Sequence, residues 1–196
     1  MGLVNQNLKL KTRSYKLKTG FTLVEVLVVT AIIATLSVAL LFNFGTAARN
    51  RTARSQVASV VVSDIRRAQS MALAGARFGG NTVCGYGIHY LSSTSYYIYA
   101  KAAPAGGCST VPTRNYQAGD LIVEAKKLIN PNMGFRSSFS DVFFESPDPK
   151  TFLNNSSILT NPPVTITIQR VGQANCGGQS CARVEVYTSG QINLSD

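Results

Sequence analysis

The hydrophobic and polar positions divide the chain into one long apolar run and a longer part with short periodic patterns. Residues 26–48 contain no Asp, Glu, Lys or Arg, and the run to Leu41 is dominated by Val, Leu, Ile and Ala. Roughly 20 apolar residues are enough for a helix to cross a bilayer, where every backbone polar group must pair within the segment. The pattern therefore predicts a transmembrane helix over about residues 22–44, with the hydroxyls of Thr30, Thr35 and Ser37 bonded back to their own helix.

A helical pattern of a different kind follows directly. From Val57 to Ala72 apolar side chains recur at steps of three and four residues, while Arg54, Asp64 and its neighbouring arginines fall mostly elsewhere. This is the period of an amphipathic helix. Since proline is absent before Pro104, we predict one helix from about Thr22 to Ala74, whose second half lays its apolar stripe on a soluble domain.

Beyond the Gly79-Gly80 pair the chain has the alternation and β-branched composition of strands. The absence of a further helical period predicts an α+β fold, in which an antiparallel sheet, or two small sheets, packs on the long helix. The predicted strands are Val83–Tyr90, Ser95–Lys101, Leu121–Leu128, Asp141–Glu145, Val164–Arg170, Ala182–Thr188 and Gln191–Leu194.

Two long connections interrupt this series of strands. Residues 102–118 contain Pro104, Gly106, Gly107 and Pro112, and residues 146–163 contain four prolines around an Asn-Asn-Ser-Ser run. Loops of this length without structure of their own are uncommon and are often functional or mobile. The sequence leaves open which description fits either connection.

The net charge of +10 is unevenly distributed. Residues 1–20 carry five basic and no acidic side chains, whereas residues 77–196 carry nine basic and seven acidic ones. Basic residues beside a first span favour a cytoplasmic location for the leader, although Arg49, Arg51 and Arg54 on the far side oppose it. The nearly neutral β region argues against a broad electrostatic nucleic-acid surface.

Four cysteines, Cys84, Cys108, Cys176 and Cys181, all follow the apolar run. They allow three pairings, and an oxidising compartment beyond the membrane favours disulfides. The short Cys176–Cys181 loop with its Gly-Gly pair favours a local bridge, which leaves Cys84 with Cys108. A zinc site is disfavoured because CxxC spacing is absent and His89 is the single histidine, so we expect no metal.

Glu25 is the unusual residue, because an ionisable side chain inside an apolar segment is costly and is a functional hypothesis by default. One interpretation leaves its carboxylate hydrated at the membrane interface. The other pairs it with a cation at the same depth, which cleavage between Gly20 and Phe21 would supply as a new α-amino group. An ordinary secretory signal is the alternative for residues 1–41; Ala47-Ala48 is its best cleavage site.

The segment Gly20-Phe21-Thr22-Leu23-Val24-Glu25, behind a basic leader and ahead of an apolar helix, resembles the prepilin signature of type IV pilins and type II secretion pseudopilins. The resemblance implies that a membrane prepilin peptidase cleaves after Gly20 and that Phe21 is then N-methylated. It also implies that Glu25 guides docking into a helical filament. The expected divisions are a leader (1–20), a long helix (21–76) and an antiparallel β domain (77–196).

The remaining layout resembles the GspH/FimT branch of minor pilins and minor pseudopilins. The resemblance is carried by the Phe-Phe-Glu-Ser-Pro-Asp run from Phe143 and by the ending from Arg183 to Ile192. It implies other pilins or pseudopilins and an inner-membrane assembly platform as partners, with the β domain periplasmic or extracellular. The sequence does not separate a type IV pilus from a type II secretion pseudopilus.

DNA binding and catalysis are the alternatives to a structural role. Members of this branch are associated with DNA uptake, so the domain would contact DNA through basic side chains. An enzyme would need a base beside a nucleophile. The single histidine, His89, and the dispersed acids form no such group, so we expect neither catalysis nor a cofactor. We expect His89 to be a half-exposed strand residue. The candidate DNA contacts are Lys126, Lys127, Arg136, Arg170 and Arg183.

Overall fold

The computed structural model describes residues 22–75, 77–148, 150–173, 175–176 and 180–195, and for residues 41–47 only the helical backbone. One helix, α1, runs from Leu23 to Leu73 and is followed by β-strands. The chain divides into two compact units, residues 1–44 and residues 45–196. The predicted fold class, α+β with a long N-terminal helix and antiparallel sheets, is confirmed.

Nine strands are present among the described residues, and they form two antiparallel sheets. The five-stranded sheet has the order β3-β2-β1-β5-β6, and the four-stranded sheet has the order β4-β7-β8-β9. The strands are β1 (Val83–Ser92), β2 (Ser95–Ala102), β3 (Leu121–Lys127), β4 (Met133–Phe135), β5 (Val142–Glu145), β6 (Thr151–Leu153), β7 (Val164–Arg170), β8 (Cys181–Val186) and β9 (Ile192–Ser195).

The core of the second unit lies between the buried stripe of α1 and the inner faces of the sheets. Val57, Val61 and Ile65 of α1 are almost fully buried, and Ala68 and Ala72 continue the stripe. On β7 the buried side chains alternate with exposed or half-exposed threonines, as the period of two requires. Burial of this stripe explains why the second half of the helix belongs to the same compact unit as the sheets.

The outer face of the five-stranded sheet is covered by the connection between β2 and β3, residues 103–120. This connection contains a short 3-10 helix (Cys108–Thr110), and Cys84 and Cys108 form a disulfide. Arg114 donates to Glu145 at 2.7 Å, and the Tyr99 hydroxyl donates to the Arg114 carbonyl at 2.6 Å. The first of the two long connections is therefore an ordered layer of the fold.

Two glycines of β1 allow that outer layer to pack closely. A Cβ at Gly87 would lie 2.6 Å from the Tyr99 ring, and one at Gly85 would meet the Phe144 carbonyl and the Phe143 ring. A side chain at either position would displace these aromatic groups. The glycines therefore serve close packing within the sheet, where their greater conformational freedom would otherwise be unfavourable.

The structure differs from the sequence prediction in two strands and two helix residues. β4 and β6 are only three residues long, too short for an alternating pattern to be visible in the sequence. Arg54 and Asp64 were expected mostly outside the apolar stripe, yet both are 6% exposed. Asp64 is buried because it lies against β2, where the Tyr96 hydroxyl donates to its carboxylate.

Candidate functional site

The first part of α1 presents an apolar surface that none of the described residues of its own compact unit covers. Leu23–Leu40 has a mean hydropathy of 2.5 with none of these residues buried. Leu23 is 77% exposed, and Ile33, near the middle, is 58% exposed. Among the described residues this is the one helix whose length and composition suit it to crossing a membrane. A contiguous exposed apolar surface of this kind marks a membrane or protein contact.

Hydroxyl groups within this surface do not leave polar atoms unpaired. Thr30 donates to the Leu27 carbonyl at 3.0 Å, Thr35 to the Ile32 carbonyl at 2.9 Å, and Ser37 to the Ile33 carbonyl at 2.7 Å. Each bond returns to the preceding turn of the same helix, as expected from the sequence. The segment therefore meets the requirement that polar groups in lipid be satisfied internally.

The start of α1 is fixed by Thr22. The Glu25 backbone N–H donates to the Thr22 carbonyl at 3.0 Å and to its side-chain oxygen at 3.3 Å. Thr-x-x-Glu is the spacing of a capping box, in which Ser or Thr caps the helix and Glu stands three residues later. The spacing of Thr22 and Glu25 is a local signal for this helix start that is visible in the sequence alone.

Glu25 is exposed in the first turn of α1. A negative charge here interacts favourably with the positive end of the helix dipole, so Glu25 has a local reason to be present in addition to any role toward a partner. It is also the one acidic or basic residue between positions 22 and 48. Gly20 and Phe21, the predicted cleavage and methylation positions, lie outside the described residues.

A charged cluster ties the second half of α1 to the edge of the five-stranded sheet. The Tyr96 hydroxyl donates to Asp64 at 2.6 Å, and Lys126 lies 3.6 Å from the other Asp64 oxygen. Lys126 also lies 2.7 Å from Glu124, which accepts a hydrogen bond from Arg67 at 2.7 Å. The cluster thus joins two turns of α1 to β2 and β3.

These contacts shift the pKa values of three groups. Burial, and then the hydrogen bond to Asp64, raises the pKa of Tyr96 far above its ordinary value. The hydrogen bond from Lys126 holds the pKa of Glu124 below its ordinary value, and the same bond raises the pKa of Lys126. The phenol therefore stays protonated, and the Glu124–Lys126 pair stays charged, at neutral pH.

His89 has partners that sequence spacing did not indicate. Its Nδ1 lies 2.7 Å from Asp141 Oδ1, and its ring stacks on Tyr116 with 4.4 Å between centroids. Asp141 also accepts the Tyr116 backbone N–H at 2.5 Å. The side chain is half-buried on β1, as expected, and the contacts attach the 103–120 connection to the sheet. Among the described residues there is no group of histidine, cysteine and acidic side chains that could hold a metal ion.

The five basic residues considered for DNA contact are divided between the two sheets. Lys126 and Lys127 lie on β3, and the charge of Lys126 is compensated by Glu124 and Asp64. Arg183 faces Thr167 across the β7–β8 ladder, and the backbone N–H of Arg136 donates to the Thr167 carbonyl on the other side. These two arginines therefore lie on either side of Thr167. Arg170 lies three residues beyond Thr167 and so belongs to the opposite face. The structure does not assemble the five residues into one patch.

The cysteines form two disulfides in the structure, Cys84 with Cys108 and Cys176 with Cys181, the pairing that the sequence analysis favoured. The first spans a sequence separation of 24 residues and the second a separation of 5. The longer one attaches the outer layer to β1.

Comparison with known proteins adds one finding at the N-terminus. Residues 15–41 match the family model of the prokaryotic N-terminal methylation motif. No curated protein and no solved structure matches the chain. The matched segment contains Gly20, Phe21 and Glu25 and the whole exposed apolar part of α1, Leu23–Leu40. The match supports a type IV pilin-like protein, and the apolar helix is consistent with a membrane anchor.

Proposed function

We propose that this protein is a minor subunit of a helical filament, either a type II secretion pseudopilus or a type IV pilus, as in the GspH/FimT branch. Its role is structural, in protein secretion or pilus assembly, rather than catalytic. The observation that carries the proposal is an exposed apolar segment of α1, Leu23–Leu40, that overlaps the methylation motif and carries a single ionisable residue, Glu25.

The mechanism starts with removal of residues 1–20 by a prepilin peptidase and N-methylation of Phe21. The subunit then waits in the inner membrane with its β domain on the periplasmic side. An assembly platform transfers it into a bundle of similar helices, where the exposed apolar side chains of residues 23–40 pack on those of neighbouring subunits.

Within the bundle, the Glu25 carboxylate of one subunit pairs with the Phe21 amine of its neighbour. An isolated charge in an apolar surrounding is strongly unfavourable, and pairing with an opposite charge reduces that cost. Because a mismatched axial position would leave both charges unpaired, the pair selects the register of docking. Thr22, which caps the helix, holds the first turn in the geometry that this pairing needs.

The test combines the N-terminus with filament entry. Mass spectrometry of the protein isolated from its native host is expected to give a chain that begins with methylated Phe21. In the sheared filament fraction, Glu25→Ala and Glu25→Gln are both expected to be depleted at least about tenfold, because neither can pair with an amine. In the membrane fraction both variants are expected at the normal level and correctly processed.

The glutamine variant separates pairing from helix capping, since Gln serves in a capping box as Glu does. Normal filament entry of Glu25→Gln together with loss of Glu25→Ala would assign Glu25 to capping and refute the pairing. A chain that keeps Met1, or one trimmed near Ala48 and released in soluble form, would refute the filament proposal.

A further inference from the structure

A cleft of about 400 Å³ lies at the margin of the four-stranded sheet, where the chain leaves β4 and diverges from β7. One wall is formed by residues 138–140, and the other by the connection after β6 together with the first two residues of β7. Serine, threonine, asparagine and proline predominate along these walls, with Phe139, Leu153 and Val164 as apolar contacts. None of the described residues that line the cleft is charged.

The strand register leaves part of β7 without a neighbour at this cleft. β4 pairs only with Ile168–Arg170. On that side of β7 the Val171 N–H donates to the Asn132 carbonyl, and the Thr167 carbonyl accepts from Arg136, both at 2.9 Å. Since backbone groups of alternate residues point to the same side of an antiparallel strand, the N–H and C=O of Thr165 point toward the cleft as well.

Thr165 has no strand opposite it on that side among the described residues. On the other side its neighbours Val164 and Ile166 pair with Val186 and Val184 of β8, so the ladder there is complete. Thr165 is exposed and lines the cleft. The first half of β7 is therefore an open strand edge within a concave site, and unpaired edges of this kind accept a further strand.

Hydrogen bonds hold the connection that forms the second wall. Asn154 Oδ1 accepts from the side-chain amide of Asn115 at 2.9 Å, and Asn155 Oδ1 accepts from the backbone N–H of Arg114 at 2.7 Å. Farther along, the Asn161 amide group donates to Ser156 Oγ at 2.8 Å. Because the wall is already ordered, binding would not require this segment to fold, which favours affinity.

We propose that the cleft binds a short, uncharged, extended peptide segment of a partner polypeptide, which adds as a strand to the free edge of β7 at Thr165. The backbone donor and acceptor of Thr165 match those of an added strand, the mode of recognition known as β-augmentation. A charged side chain would lose its hydration without finding a counter-charge on the walls. The proposal does not depend on the filament function, since it concerns a different surface.

The test uses the full-length protein in detergent micelles and the probe acetyl-Val-Thr-Val-Thr-Val-amide. Hydrogen exchange of the Thr165 amide, followed by NMR, is expected to be rapid in the free protein and to slow at least about tenfold at saturating peptide. Two analogues, methylated on the second or on the third backbone nitrogen, serve as matched controls. Because alternate nitrogens of a strand point in opposite directions, one analogue is expected to bind and the other to fail.

A pair of variants tests the same contact from the protein side. Thr165→Pro removes the N–H that faces the cleft and leaves the bonds to β8, whereas Thr165→Ala keeps the backbone donor. The proline variant is expected to bind the peptide about fivefold more weakly than the alanine variant, the contribution of one hydrogen bond. If the proline variant does not fold, the methylated analogues still decide.

Three results would overturn the proposal. The first is that no peptide concentration slows exchange at Thr165, or that both methylated analogues bind as the parent does. The second is that a neutral sugar such as maltose saturates the cleft while the peptide does not, which would assign it to carbohydrate. The third is that Thr165 is protected without peptide in proportion to protein concentration, which would assign the cleft to a second copy.

Discussion

Tyr96 on β2 is the hydrogen-bond donor to Asp64, the one buried acidic residue among the described residues of α1. Its side chain is 1% exposed, and its hydroxyl donates to Asp64 at 2.6 Å. A carboxylate that is 6% exposed depends on such donors, because an unpaired buried charge costs several kcal/mol. Lys126, at 3.6 Å, is the second partner and lies too far for a short hydrogen bond.

We therefore expect Tyr96→Phe to lower the free energy of unfolding of the second compact unit, residues 45–196 (the β unit), by about 2 kcal/mol, the value of a hydrogen bond to a charged group. Thermal and denaturant unfolding of the full chain in micelles measures it. Tyr97→Phe is the matched control, since its hydroxyl has no hydrogen-bond partner among the described residues, and it is expected to change stability by less than about 0.5 kcal/mol. Equal effects of the two variants would contradict this assignment.

Glu124 gives the cluster a pH dependence whose direction follows from its pKa. The bond from Lys126 lowers the folded-state pKa below the ordinary value of 4.5, so folding favours the ionised form. The resulting stabilisation is present above pH 4.5 and disappears as the pH falls through the lower, folded-state pKa. The stability difference between the wild type and Glu124→Gln is expected to be largest at neutral pH and to vanish in acid.

Unfolding of both proteins measured between pH 7 and pH 2 checks this expectation. Because Glu124 and Arg67 are substantially exposed, 1 M NaCl is expected to reduce the neutral-pH difference. A difference that persists unchanged at the lowest pH would mean that Glu124 acts through packing rather than through its charge.

At the scale of elements, the layer over the five-stranded sheet depends on one long disulfide. Cys84–Cys108 joins β1 to the 103–120 connection, and Arg114 lies within that connection, bonded to Glu145 and positioned over the Phe152 ring at 5.0 Å. Cross-links stabilise chiefly by restricting the unfolded chain, and more so when they close a longer loop. The two disulfides of this chain therefore differ in their expected contribution.

Replacing Cys84 and Cys108 together by serine is expected to lower stability by about 3.5 kcal/mol, against about 2 kcal/mol for the same change at Cys176 and Cys181. The first double variant is also expected to become sensitive to trypsin after Arg114, because the released connection no longer holds that side chain in place. The second double variant is the control, in which the peptide bond after Arg114 is expected to stay resistant to trypsin. Cleavage after Arg114 at equal rates in both would show that the disulfide does not hold the layer.

The elements themselves could largely be predicted from the sequence, because each long one has a period that local physics fixes. The apolar run and its amphipathic continuation predict α1 to within one residue at each end, and all seven predicted strands are present. β4 and β6 could not be predicted, since three residues carry too little alternation and their pairing is decided by β7 and β5. The division of the strands into two sheets is likewise a tertiary property.

In the candidate sites, too, features set by local spacing could be predicted from the sequence, and features set by long-range pairing could not. The capping Thr22 and the exposed apolar helix follow from local spacing, whereas the buried position of Asp64 depends on Tyr96, which is 32 residues away. The contact of His89 with Asp141 spans 52 residues, and the open edge at Thr165 results from where β4 ends. Such long-range pairings leave no period in the sequence and appear only when the strands are placed.

For the whole molecule, the apolar part of α1 is the segment that we expect to anchor the protein in a membrane. Ile33 lies in the centre of the predicted span of residues 22–44, and its side chain is 58% exposed. A charged side chain at the centre of a transmembrane helix costs about 2.5–3.5 kcal/mol on insertion scales. The β unit has a core of its own, to which Ile33 does not belong.

Ile33→Lys is therefore expected to shift the protein from the carbonate-resistant membrane fraction toward the extractable fraction, while Ile33→Ala, which removes apolar surface without adding charge, is expected to stay in the membrane. Immunoblots of alkaline carbonate extracts measure the distribution. Trypsin resistance after Arg114 serves as an internal control, because it reports on the β unit and is expected to be the same in both variants. If Ile33→Lys remained in the carbonate-resistant fraction as fully as the wild type, with an intact β unit, the segment around Ile33 would not be the one that crosses the membrane.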